Sequence, residues 1–106
     1  MEITEHYFKT SRHETFYLAA GNEDDPLIYL IHGWPDLSLG WMKQIGYLAE
    51  LGYRVIAPDM RGYGRSTIHP NHNDYCQKEI VKDMLELHAS FSTEKAIWIG
   101  HDWGSL

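Results

Sequence analysis

Cysteine is nearly missing from this sequence: Cys76 is the only one in 106 residues. An internal disulfide is therefore excluded, and no oxidising compartment is implied. Basic residues are also scarce. Lys and Arg number 9 against 15 Asp and Glu, which leaves a formal net charge of −6. Such a balance supplies no basic patch to neutralise phosphates, which argues against a nucleic-acid partner and against an anionic membrane surface. No apolar run approaches the roughly eighteen residues that a membrane span needs. The opening Met1-Glu2-Ile3-Thr4-Glu5-His6 is polar and lacks the apolar stretch of a signal peptide. Together these absences predict a cytoplasmic protein. Repeats and low-complexity tracts are absent too. What is present is ordinary globular material: 43% hydrophobic and 13% aromatic residues, enough to build a core. The length fits one small domain.

Polarity patterning predicts the elements. Glu5–Thr10 alternates polar and β-favouring residues and reads as a strand; His13–Ala20 reads as a second. Gly21-Asn22 and Asp24-Asp25-Pro26 mark a turn. Leu27–His32 is a nearly unbroken apolar run, as in a strand buried on both faces of a parallel sheet. After a Gly- and Pro-containing loop, Gly33–Gly40, the spacing of Trp41, Ile45, Leu48 and Ala49 predicts a helix, with Ser38 as N-cap and Gly52 just past the C-cap. Tyr53–Ala57 is another buried-type strand. Asp74 and Gln77 resemble a capping box opening a helix, with Ile80, Val81, Met84, Leu85 and His88 on its apolar side. Lys78, Glu79, Lys82, Asp83 and Glu86 are expected on its solvent side. Ala96–Ile99 is a last buried-type strand. A strand hairpin followed by β-α-β-α-β means an α/β fold with a mainly parallel sheet, and such sheets bind ligands beyond the C-terminal ends of their strands.

Three polar, Gly-rich loops at strand ends are the places to look for chemistry. Gly100-His101-Asp102-Trp103-Gly104 follows a buried strand and has the form small-x-nucleophile-x-small. A sharp strand-to-helix turn needs small residues on both sides, and it thrusts the central side chain above the sheet. The centre here is Asp102. A carboxylate is suited to displacing a leaving group at saturated carbon, giving an alkyl ester that water can then hydrolyse. The oxyanion formed in that hydrolysis needs rigid donors. The backbone amides of Trp103 and of Trp34, within His32-Gly33-Trp34-Pro35 at the end of another strand, are the candidates. Taken singly, the first segment also describes a Gly-bounded turn with a surface Asp, and the second a plain turn in which Pro35 fixes the loop. Asp59-Met60-Arg61-Gly62-Tyr63-Gly64-Arg65-Ser66 is expected to be a stiff, hydrogen-bonded structural loop bordering the site.

Taken in order and at their spacing, these three motifs resemble the N-terminal part of an α/β-hydrolase-fold epoxide hydrolase. The resemblance covers essentially the whole chain. It implies an N-terminal portion of the α/β-hydrolase fold, with residues 1–106 forming part of one hydrolase domain and no cap domain present. It also implies that Asp102 opens an epoxide ring, that the Trp34 and Trp103 amides form the oxyanion hole, and that their side chains line the pocket. The substrate would be a small hydrophobic epoxide, the product a vicinal diol, and no metal or organic cofactor is needed. Family members activate water with a His–acid pair and protonate the epoxide oxygen with cap tyrosines. In the family those groups lie beyond Leu106, and no Tyr or His here stands at a matching position, so the 106 residues alone are expected to be inactive. Ser105 stands where a second glycine is common. Haloalkane dehalogenases, which share the Asp elbow and the following Trp, are the alternative enzyme. Trp34-Pro35 and Arg61-Gly62-Tyr63-Gly64 favour the epoxide reading. A truncated, non-catalytic product is the alternative of another kind.

The remaining candidates are read as structural. His69, His72 and Asp74 form an H-x-x-H-x-D pattern in an irregular loop with no fourth ligand, so no metal site is predicted. His32, His101 and His88 are expected to pack or hydrogen-bond locally. Cys76, in the first turn of a helix, is expected to be structural.

Overall fold

A computed structural model of the chain describes residues 3–32, 41–62, 64–69, 77–91 and 96–100. The elements run β1 (Thr4–Lys9), β2 (Glu14–Ala20), β3 (Leu27–Ile31), α1 (Met42–Glu50), β4 (Arg54–Pro58), α2 (Gln77–Ala89) and β5 (Ile97–Gly100). Each expected strand and helix is present. The five strands form one sheet in the order β1-β2-β4-β3-β5. β4, β3 and β5 are the expected parallel part. The β1–β2 hairpin joins it through an antiparallel β2–β4 ladder, so the sheet as a whole is mixed.

Strand side chains alternate between faces, and each face has its own core. Phe16, Leu18, Ala20, Ile28, Leu30, Val55 and Ala57 point to one side and pack with Ile45 and Ala49 of α1. Tyr17, Ala19, Tyr29, Ile31 and Ile56 point to the other and pack with Met60 and with Met84 and Leu87 of α2. The unbroken apolar runs of β2, β3 and β4 thus have a direct cause: both faces of these strands are covered.

α1 buries the stripe that its spacing predicts, with Trp41 and Leu48 packed at its margin. Its N-cap is Trp41, with no side-chain cap bond, rather than Ser38, which lies outside the described residues. Gly52 stands just past the C-cap as expected, at φ +99. There the Tyr53 and Gly52 amides reach back to the Leu48 and Ala49 carbonyls, the paired bonds of a Schellman ending.

Two expectations are corrected. The inward face of α2 is Ile80, Asp83, Met84 and Leu87, while Val81 and Leu85 are 46% and 58% exposed. The reason is phase: Ile80, Asp83, Met84 and Leu87 follow the 0, 3, 4, 7 spacing, about a quarter turn round from the expected stripe, and Asp83 can be buried because arginines meet it. β5 is not buried either. Its Ile97, Trp98 and Ile99 are 50%, 42% and 37% exposed, because among the described residues it pairs with β3 alone. The Asp74 cap of α2 lies outside the described residues.

Candidate active site

The parallel strands end together. Ile31 of β3 is in register with Gly100 of β5, so the chain leaves both strands at one level, side by side. From β3 it steps to β4 on one flank, then returns past β3 to β5 on the other. In open α/β sheets a reversal of strand order of this kind marks the C-terminal ends of the strands as the place where ligands bind. Of the residues expected in the site, His32 and Gly100 stand at this point. Gly33, Trp34, Pro35, His101, Asp102, Trp103 and Gly104 lie outside the described residues.

His32 is 3% exposed. Its Nε2 accepts the Met60 backbone N–H at 2.8 Å, so the ring proton lies on Nδ1. The local hydrogen bond expected of this histidine is therefore made, and it ties the end of β3 to the loop after β4.

That loop is stiff, as expected. The Asp59 amide donates to the Phe16 carbonyl at 2.8 Å. The Asp59 carboxylate accepts the Arg65 amide at 3.2 Å, and its own carbonyl accepts the Ser66 hydroxyl at 2.5 Å. Ser66 Oγ in turn accepts the Phe16 amide at 3.0 Å. Gly64 is at φ +52, and a Cβ there would run into the Asp59 carboxylate. The Arg61 guanidinium of this loop meets Asp83.

Asp83 is the residue that sequence reasoning missed. Arg61 grips its carboxylate with Nε at 2.6 Å and Nη2 at 2.7 Å. Arg12, from the β1–β2 turn, adds a contact at 2.6 Å and reaches Glu79 and Glu86 at 3.2 and 2.8 Å. His13 lies 3.6 Å from the same carboxylate, and its Nδ1 is 2.8 Å from Nε2 of His69, ring stacked on ring. Burial pushes the His13 imidazole down to about 4; Asp83 pulls it up by less, and the charges of Arg61, His69 and Arg12 push it further down. The available signal was the spacing of Asp83 from Ile80 and Leu87. Its partners, far away in sequence, gave none.

His88 sits at the core edge, as expected. Its Nδ1 is 2.8 Å from the Tyr29 hydroxyl, and the Trp98 ring stacks on Tyr29 at 4.1 Å. Burial raises the Tyr29 phenol above its ordinary range. Among the described residues no group of His, Cys, Asp and Glu is arranged to hold a metal ion. His69 is engaged with His13, while His72, Asp74 and Cys76 lie outside the described residues. No helix of the described residues is long and apolar enough to cross a membrane.

Comparison with known proteins agrees with this geometry. Residues 26–106 match the family model of the alpha/beta hydrolase fold. An AB hydrolase superfamily protein of Bacillus subtilis, YfhM, is 50% identical over 81% of the chain and 30% of its own length. Epoxide hydrolase A of Mycobacterium tuberculosis is 40% identical over 82% of the chain and 27% of its own length. The crystal structure of epoxide hydrolase A from Mycobacterium thermoresistibile superposes with a TM-score of 0.94 at 38% identity, covering 98% of this chain and 33% of that one. The chain thus spans about a third or less of the length of these relatives.

Proposed function

Because this chain belongs to the α/β-hydrolase-fold family, and to the part of it that holds the epoxide hydrolases, we propose that its protein hydrolyses small hydrophobic epoxides to vicinal diols through an ester on Asp102. Residues 1–106 are read as part of one hydrolase domain. The carboxylate of Asp102 attacks a ring carbon, the C–O bond of the epoxide breaks, and the alkoxide takes a proton. Water then adds to the ester carbonyl. The backbone amides of Trp34 and Trp103 hold the oxyanion formed at that moment, and collapse releases the diol and restores the carboxylate.

The observation that carries this reading is the level, adjacent ending of β3 and β5 at Ile31 and Gly100. Segments leaving those two points start from neighbouring positions, as a nucleophile and its oxyanion donors require. The epoxide hydrolases among the relatives favour this chemistry over halide displacement. The lone cysteine supports a cytosolic address.

The test is a single turnover of styrene oxide by the complete encoded polypeptide in ¹⁸O-water. Water attacks the ester carbonyl, so the label is expected in the Asp102 carboxylate, and the diol takes its new oxygen from Asp102. Asp102→Asn is expected to abolish turnover. Label entering the diol directly in that first turnover, with none on Asp102, would overturn the proposal.

A further inference from the structure

Asp83 belongs to no motif, yet it is one of the most fully surrounded charges among the described residues, with a side chain 1% exposed. A buried ion cluster is a weak source of stability, because desolvation consumes most of what the attraction returns. Its distinctive property is geometry. A guanidinium gripped through two nitrogens is fixed in both place and plane. Arg61 is gripped in this way by Asp83, at 2.6 and 2.7 Å. The next residue back, Met60, donates its amide to His32 at 2.8 Å. His32 is the first residue beyond β3. An unbroken run of contacts therefore leads from the middle of α2, through the loop after β4, to the point where the chain leaves β3.

We propose that Asp83 is a positioning residue: through Arg61 and the Met60 amide it fixes His32, and with it the start of the loop that carries the Trp34 oxyanion donor. This rests on the functional reading above. The oxyanion forms only when water attacks the ester. Loosening the loop therefore slows ester hydrolysis and leaves ring opening largely alone. A residue that served only folding would lower both steps together, in proportion to the folded enzyme lost.

The experiment follows the Asp102 ester of the complete polypeptide by intact mass, in quenched single turnovers of styrene oxide. For Asp83→Asn the expected result is ester decay slowed about tenfold to a hundredfold, with ester formation changed by less than about twofold. Equal loss in both steps, or no change in either, overturns the proposal. If Asp83→Asn does not accumulate as folded protein, His32→Gln and His32→Leu read the same link from its other end. The Gln amide oxygen can accept the Met60 N–H and Leu cannot, so His32→Leu is expected to slow ester decay well beyond His32→Gln. Equal behaviour of the two overturns the proposal. A wild-type protein that forms no ester on Asp102 overturns the functional reading instead, which separates the two failures.

Discussion

The two faces of the sheet are built on different principles. Among the described residues the α1 face buries an apolar cluster, in which Ile45 and Ala49 pack with Phe16, Leu18, Ile28, Leu30 and Val55. The α2 face combines an apolar patch around Met84 and Leu87 with the Arg61–Asp83–Arg12 cluster, the His13–His69 stack and the Tyr29–His88 hydrogen bond. One face excludes water and needs only shape. The other fixes directions, and those directions lead to the loop bordering the candidate site. Apolar packing tolerates any neighbour of suitable volume, whereas a gripped guanidinium tolerates one partner in one place. The polar face therefore stands under the end of the sheet that has to be aimed.

The largest effect expected from this difference is at Asp83. Asp83→Ala leaves Arg61 buried without its carboxylate and should cost about 3–5 kcal/mol in urea unfolding. Ile45→Ala on the other face should cost a similar about 2–5 kcal/mol, but by opening a cavity. A second substitution separates the causes. Adding Arg61→Met to Asp83→Leu should recover much of the loss, since Arg12 keeps Glu79 and Glu86. Adding Leu30→Ala to Ile45→Ala should deepen it. If both pairs of variants respond alike, the distinction between the faces fails.

Acid should act on one face only. Unfolded, the His13 ring takes up a proton below its ordinary value of 6.5; folded, it does so only below about 4. Between those values the unfolded state binds more protons, so stability falls as the pH drops from about 6.5 to about 4, by on the order of 3 kcal/mol in full. The wild type minus His13→Gln difference, measured by urea midpoints at pH 7 and pH 4.5, should carry this slope. Ile45→Ala should leave it unchanged. The smallest effect is expected at Tyr29→Phe, which removes one hydrogen bond to His88 and should cost about 1 kcal/mol in the same unfolding assay. A loss several times larger would mean that the aromatic cluster is as tightly coupled as the ion cluster.

Legibility in the sequence follows the same division. The strands β2, β3 and β4 were readable because burial on both faces writes itself as an apolar run, and α1 because its stripe has the helical period. β5 carries the same kind of run, Ile97-Trp98-Ile99, but burial depends on what lies over a strand, and among the described residues little does. The inward phase of α2 was misjudged because a carboxylate was assigned to solvent by its charge alone. Its reversal depends on Arg61, 22 positions away, and Arg12, 71 positions away. No local pattern encodes such a meeting. For the candidate site, the motifs were readable from their spacing. The bond holding His32 was foreseen in kind, but its donor, the Met60 amide, could only be found by folding the chain.

The Tyr29–Trp98 stack couples two chromophores across the β3–β5 ladder, 4.1 Å apart and within 9° of parallel. Such rings exchange excitation, so the pair acts as an optical gauge of registry between these strands. A one-residue slip of β5 would carry Trp98 to the opposite face of the sheet. Near-ultraviolet circular dichroism would then lose the signal of the stacked pair. The alignment of Ile31 with Gly100 can thus be followed in solution by light alone, without substrate and without activity.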